Sequence, residues 1–165
     1  MKNLVFLFCV SFIFLSCDDI IKTTINVKFD KKAFYEQRQL WQDSNIKNYQ
    51  YNFSNNMFFY SYNGILFIEN GIFKYDLPDA EYHELENYKN YYTTIDEIYK
   101  TIEETYNMCN GSKHSKNDVY ITEIIIEYDK INHIPNTIYY KEYVPPGLMI
   151  EGSLYYIISN FEKME

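Results

Sequence analysis

An Asn-Gly pair between two apolar runs constrains this fold more than any other feature of the sequence. Residues 65–68 are Ile-Leu-Phe-Ile and residues 72–75 are Ile-Phe-Lys-Tyr, with Glu69-Asn70-Gly71 between them. Asn-Gly favours a type I′ turn, because both central residues of that turn need a positive φ. The segment therefore predicts a β-hairpin.

Alternating segments elsewhere predict further strands. Tyr49, Tyr51 and Phe53 alternate with polar residues, and residues 57–62 continue in extended style after a Ser-Asn-Asn break. The last third has strand patterns bounded by turn residues, at 119–129, 137–144 and 153–161. Short loops between these segments favour hairpin connections and hence antiparallel pairing.

Two segments have a helical pattern. Asp30 is a candidate N-cap for a helix to about residue 46, with Ala33, Phe34, Leu40 and Trp41 on one face. Trp41 shares this stripe and is interpreted as a core anchor. A capping box at Thr94–Glu97 begins a second helix, which Asn110-Gly111 ends. Its apolar stripe comprises Ile95, Ile98, Tyr99, Ile102 and Tyr106.

These elements predict an α+β fold of order αβββαβββ. We expect an antiparallel sheet of about five to six strands, with two helices packed on one face. The chain has 165 residues, which suits one domain, and we expect that domain to span residues 30–165.

The N-terminal segment has the pattern of a secretory signal peptide. Lys2 precedes a run from Leu4 to Leu15 that is apolar apart from one Ser, and Ser16-Cys17 follows. The run is too short to cross a bilayer, which takes about 20 apolar residues. We expect a signal peptide at 1–16 and a tether at 17–29.

Cys17 predicts lipid anchoring. Phe14-Leu15-Ser16-Cys17 resembles the bacterial lipobox, in which the cysteine receives a diacylglyceryl group and becomes the first residue of the mature chain. Two or three acyl chains, such as palmitate, hold a protein durably at a membrane. We therefore expect a lipoprotein of the bacterial cell envelope whose domain lies outside the cytoplasm, with the choice of inner or outer membrane open.

Charge and composition limit the classes of partner that this chain is expected to bind. The formal net charge is −8, and loss of Lys2 with the leader would make it −9. An acidic chain is a poor match for nucleic acid, which binds clustered Lys and Arg, so no nucleic-acid partner is expected. With Cys17 lipidated, Cys109 has no disulfide partner and is interpreted as a small packing residue.

No motif indicates catalysis. His83, His114 and His133 lie in separate loops without the close ligand spacing of a zinc site, and the acidic loop at 76–86 lacks calcium-loop spacing. There is no Gly-rich phosphate loop and no Gly-x-Ser-x-Gly elbow, although a Ser-His-Asp triad stays open. We expect a protein that is not an enzyme and has no metal or cofactor.

Several motifs together resemble a family of small bacterial lipoproteins, domain of unknown function six-one-seven-four. They are Trp41, Tyr49-Gln50-Tyr51, Glu69-Asn70-Gly71, Thr94-Ile95-Asp96-Glu97-Ile98-Tyr99, Tyr128-Asp129 and His133-Ile134-Pro135-Asn136-Thr137-Ile138. The resemblance covers nearly all of residues 38–143. It departs from the family pattern at residues 55–60, which lack cysteine, and at His133, where the family usually has Gly. It implies a fold and a location, and transfers no catalytic residue.

The function that these features favour is binding or assembly in the envelope, with another envelope protein or polymer as partner. The partner surface would be the sheet face away from the helices, with Phe59, Tyr139, Tyr143 and Tyr155 as candidate residues. One alternative is an inhibitor-like protein that covers an enzyme with this face. A small envelope hydrolase is another.

Overall fold

The computed structural model describes residues 22–57, 60–74, 94–148 and 154–165. The predicted leader, Cys17, Phe59 and the acidic loop lie outside these residues. The strands are β1 Thr23–Thr24, β2 Lys28–Phe29, β3 Tyr49–Met57, β4 Tyr60–Glu69, β5 Ile72–Lys74, β6 Lys113–His114, β7 Tyr120–Tyr128, β8 Pro135–Tyr143 and β9 Leu154–Lys163. The helices are α1 Lys31–Ser44 and α2 Ile95–Cys109. Neither is long and apolar enough to cross a membrane.

The main sheet has seven strands in the order β2-β7-β8-β9-β3-β4-β5, and β1 and β6 form a separate two-stranded sheet. Every pair is antiparallel except β2 with β7. The α+β class with a mostly antiparallel sheet is confirmed. The longer elements follow the predicted order αβββαβββ, but the predicted strand number is too low, because it leaves out β1, β2 and β6, which have only two residues each. Such strands are too short to show an alternating pattern.

The predicted hairpin is confirmed at the β4–β5 turn. Asn70 and Gly71 both have positive φ, 54° and 74°, and Glu69 lies opposite Ile72. Asn48 reinforces the turn, since its side chain accepts a 2.7 Å hydrogen bond from the Asn70 amide. The Asn-Gly signal therefore fixed both the turn and the register of the strands beside it.

The predicted break at residues 54–56 is wrong, because β3 continues through them to Met57. Asn55 and Asn56 have partners on both sides, in β4 and in β9. Neighbouring strands thus hold these residues in a sheet, although asparagine alone disfavours strand structure. The same pairing of β3 with β9 joins the two halves of the chain.

Both helices begin at the predicted caps. The Asp30 side chain accepts from the Ala33 amide at 3.0 Å, and the Thr94 hydroxyl accepts from the Glu97 amide at 3.2 Å. The predicted α2 stripe is buried throughout. In α1, Phe34 and Trp41 are buried as expected, but Leu40 is 43% exposed and does not belong to the core.

The core lies on one face of the sheet. Its largest fully buried side chains include Tyr49, Tyr51, Phe34, Tyr99 and Ile102. The expectation was two helices packed on one face of the sheet, and the observed packing of the helices differs from it. They also contact each other, through the Phe34 and Tyr99 rings 5.5 Å apart and a 2.7 Å ion pair between Arg38 and Glu103.

Candidate functional site

The face of the main sheet opposite the core, here called the outer face, is the candidate partner surface. Strand side chains alternate between the two faces, so the neighbours of buried Ile124, Tyr140 and Ile158 point outward. Four isoleucines on the outer face are exposed: Ile65, Ile72, Ile125 and Ile157. Apolar side chains therefore recur across the outer face from β7 to β5.

Two of the predicted tyrosines are neighbours on this face. Tyr139 of β8 lies between Ile125 of β7 and Tyr155 of β9 in one cross-strand row. Both tyrosines are half-buried. Ile157 occupies the next outward position after Tyr155 on β9, and it pairs with Thr137 and Ser54. The row is thus a continuous strip of aromatic and aliphatic surface.

The other two predicted residues are separate from this row. Tyr143 lies at the end of β8, where its ring stacks on Tyr120 with centroids 4.9 Å apart. Lys141 lies between Tyr143 and Tyr139 on the same face of β8. Phe59 is outside the described residues. The structure thus brings together Tyr139 and Tyr155, while Tyr143 belongs to one end of the sheet.

Sequence reasoning missed the exposed isoleucines. Residues 124–126 are Ile-Ile-Ile, so both faces of β7 look equally apolar and nothing in the pattern marks Ile125 as exposed. Ile65 and Ile157 also have apolar neighbours in sequence. Only the register with other strands assigns each isoleucine to a face. The available signal was the run of consecutive isoleucines in β7. Helices that pack on one face of a sheet leave its other face uncovered, so such a run must place an isoleucine there.

The charged side chains at the border of the outer face are joined by ion pairs. Glu123 forms ion pairs with Lys28 and with Lys141, whose Nζ lies 3.7 Å from its carboxylate. The hydrogen bond from Lys28, with the added attraction of both lysines, holds the pKa of Glu123 below its usual value. Two lysines share one carboxylate here, so this cluster presents one net positive charge at the border of the face.

Ser112, His114 and Asp118 form the one cluster in the described part of the chain that resembles a hydrolase triad. The Ser112 Oγ lies 2.8 Å from His114 Nε2, and His114 Nδ1 lies 3.9 Å from an Asp118 carboxylate oxygen. In a triad the serine hydroxyl donates to the histidine, and the aspartate accepts from its other nitrogen.

In this cluster, the donors and acceptors of the hydrogen bonds are arranged differently from those of a triad. The Ser112 hydroxyl donates to the carbonyl oxygen of Cys109, which can only accept. His114 Nε2 must then donate to Ser112, so the serine proton does not point to the base. The Asp118 carboxylate accepts from the Ser115 amide at 2.7 Å instead. The contacts therefore suit two turns, one between α2 and β6 and one directly after β6.

The other residues with reactive side chains, Cys109 and His133, take part in packing and hydrogen bonds. Burial raises the pKa of Cys109, which opposes formation of a nucleophilic thiolate. The carbonyl of His133 accepts a 2.7 Å bond from the Tyr99 hydroxyl, and its ring lies 3.0 Å from the Gln37 amide oxygen. Within the described ranges, no three His, Cys, Asp or Glu side chains group as metal ligands do.

Comparisons with known proteins found no matching family model, no matching curated protein and no matching solved structure.

Proposed function

We propose that this protein is a lipid-anchored lipoprotein of the bacterial cell envelope that binds another envelope protein through the outer face. The observation that carries the binding role is the row Ile125–Tyr139–Tyr155, with Ile157 beside it. The lipobox-like sequence before Cys17 supports the anchor, and the resemblance to small bacterial lipoproteins supports the location.

The outer face has the composition that protein partners use. Interface cores are enriched in aromatic side chains and depleted of charge, and contiguous exposed apolar surface is uncommon on proteins without a partner. Tyr139 and Tyr155 supply aromatic area, while Glu123 at the border is held in ion pairs with Lys28 and Lys141. Tyrosine adds contact area at low entropic cost, because it has few rotatable bonds.

The binding proposal predicts that Ile125→Asp weakens partner capture. A carboxylate in the centre of the row would have to be desolvated on binding, and loss of an interface hot spot weakens affinity by about tenfold or more. The measurement is chemical cross-linking in intact envelopes, followed by quantification of one defined cross-linked species in wild type and variant.

The matched control is Ile131→Asp. Ile131 is 82% exposed, whereas Ile125 is 42% exposed, and Ile131 lies in the turn between β7 and β8, off the outer face. Both variants make the same chemical change on an exposed isoleucine. An equal loss of cross-linking in both, or no loss in either, would remove the outer face from the binding site.

The anchor is tested separately by Cys17→Ser. A serine has no thiol to receive the diacylglyceryl group, so the variant should move from the membrane fraction to the soluble envelope fraction. Cys109→Ser is the control, because it removes a thiol outside the lipobox and should stay with the membrane. Equal partitioning of wild type and Cys17→Ser would refute lipidation.

A further inference from the structure

The place where the chain enters the fold suggests which end of the domain faces the lipid. β1 begins at Thr23, only six residues after Cys17. At about 3.5 Å per extended residue, the part of the tether from Cys17 to Thr23 reaches no more than about 21 Å. β1 pairs with β6, and the amide and carbonyl of Ile25 bond to Ser112 and Gly111 just beyond α2. The entry point is therefore fixed to one end of the domain.

One end of the main sheet lies beside this entry point. The His114 ring of β6 contacts the Tyr120 ring at the start of β7, with centroids 5.0 Å apart, and Tyr120 stacks on Tyr143 at the end of β8. The loop that follows β8 leaves the sheet here and carries Leu148, which is 50% exposed. We call this end the entry pole, and it comprises residues 22–25, the chain from the end of α2 to residue 118, and residues 144–148.

The entry pole combines exposed lysines with exposed apolar side chains. Lys22, Lys113 and Lys116 are exposed, as are Met108, Val144 and Leu148. Hydrogen bonding from the Ser115 amide, with smaller contributions from His114 and Lys22, lowers the pKa of Asp118. Cations beside apolar side chains are the pattern of surfaces that lie in the lipid headgroup region.

Charge distinguishes this pole from the rest of the chain. The three lysines offset Asp118 and the two acidic residues of the tether, Asp18 and Asp19. The remainder of the molecule carries most of the net negative charge. An anionic lipid surface would therefore repel the entry pole least, and each lysine near such a surface is attracted to it.

We infer that the entry pole rests on the lipid surface, with Leu148 entering the headgroup region and the lysines contacting anionic headgroups. The inference depends on the proposed lipidation of Cys17, which holds this pole within reach of the bilayer. The far end of β7 and β8 then points away from the membrane. With nine residues in β7, that end lies about 30 Å farther out.

Tryptophan fluorescence in vesicles tests this orientation. The lipidated Leu148→Trp and Ile131→Trp variants are each reconstituted into vesicles of phosphatidylethanolamine and phosphatidylglycerol with brominated acyl chains. Ile131 is the matched control, because it is an exposed aliphatic residue in the turn at the far end of the sheet. The signal of the native Trp41, which is buried, is subtracted using the wild type.

The expected result is bromine quenching of the Leu148→Trp signal by at least twofold more than of the Ile131→Trp signal. Equal quenching, or stronger quenching at position 131, would overturn the inference while leaving the anchor intact. Failure of the wild-type protein to float with vesicles would overturn both the anchor and the orientation. The two proposals thus fail with different results.

A second measurement needs no substitution. Amine acylation of the wild-type lipoprotein, followed by peptide mass analysis, compares Lys113 and Lys116 with Lys130 in the far turn. All three are exposed in the domain. Vesicle binding should slow modification of Lys113 and Lys116 at least twofold relative to Lys130. Unchanged ratios between detergent and vesicles would contradict the orientation even if a tryptophan variant failed to fold.

Discussion

At the residue scale, Tyr49 connects the sheet to both helices. Its ring is 1% exposed and lies edge-on to Trp41 of α1, with centroids 5.4 Å apart. Its hydroxyl oxygen accepts a 3.0 Å hydrogen bond from the Ile95 amide at the start of α2. Burial is the main cause that raises the pKa of this hydroxyl, so it stays protonated at every physiological pH.

We predict that Tyr49→Phe lowers the free energy of unfolding by about 1–3 kcal/mol, because the buried Ile95 amide loses its acceptor. Urea unfolding measures the change. Tyr35→Phe is the control: this hydroxyl donates to Glu103 on an exposed surface, where water can replace the contact. Its effect should stay within about 0.5 kcal/mol. Equal losses in both variants would show that the Ile95 contact carries no special weight.

At the element scale, α2 depends on its N-cap. The Thr94 hydroxyl accepts from the Glu97 amide, and Asp96 and Glu97 add negative charge in the first turn, where the helix dipole favours it. Thr94→Ala should lower the free energy of unfolding by about 1 kcal/mol. Thr101→Ala, the same change at an exposed position within α2, should be neutral or slightly stabilising, because alanine is the better helix former. Urea midpoints of the two variants should therefore move apart. A loss at position 101 as large as that at position 94 would contradict the cap.

The elements that sequence could predict are those specified by local chemistry. The Asn70-Gly71 turn, the Asp30 and Thr94 caps and the α2 stripe all act within a few residues, and all are present. β1, β2 and β6 depend on strands distant in sequence. Leu40 fits the α1 stripe by spacing, but its exposure is decided by where α2 and the sheet lie. Long-range packing overrode the local pattern there.

The candidate site also has one part that the sequence predicts and another part that only the pairing of strands determines. Alternation predicts that Tyr139 and Tyr155 share a face, and the register adds that they are direct neighbours. Ile125 joins them only because β7 pairs with β8 in that register, and this pairing also separates Tyr143 from the row. A partner surface on a sheet is a property of several strands together. Its residues cannot be assembled from one strand at a time.

At the scale of the whole molecule, the two halves of the chain form one sheet because β9 returns to pair with β3. Residues more than 100 positions apart, such as Phe53 and Ile158, lie opposite each other. A connection of this length costs loop-closure entropy before its contacts form, so sequence patterns near either strand do not reveal it. The pairing places the Tyr155 row and the exposed Ile65 on one continuous outer face.

The same contacts between distant elements make stability depend on pH. The Tyr35 hydroxyl, followed by Arg38, holds the pKa of Glu103 below its usual value, and Lys28 does the same for Glu123. Above about pH 4.5, the usual value for Glu, both folded and unfolded chains are ionised, and this stabilisation is fully present. Below it, the unfolded chain takes up protons first, so the stabilisation is lost as the pH falls through the folded-state pKa. Burial raises the pKa of Glu142 and opposes part of this effect.

Glu103→Gln tests the contribution of the contact between the helices. At pH 7 the variant should be less stable than wild type by up to about 1 kcal/mol, the range of partly exposed ion pairs. At pH 3 the two proteins should differ less, because the unfolded wild-type chain then takes up a proton at Glu103 and the charge contributes less to folding. Urea unfolding at both pH values measures the gap, and Glu104→Gln removes a charge from the exposed side of the same helix as a control. A gap for Glu103→Gln that stays constant or widens at pH 3 would mean that charge on Glu103 does not stabilise the junction of α1 and α2.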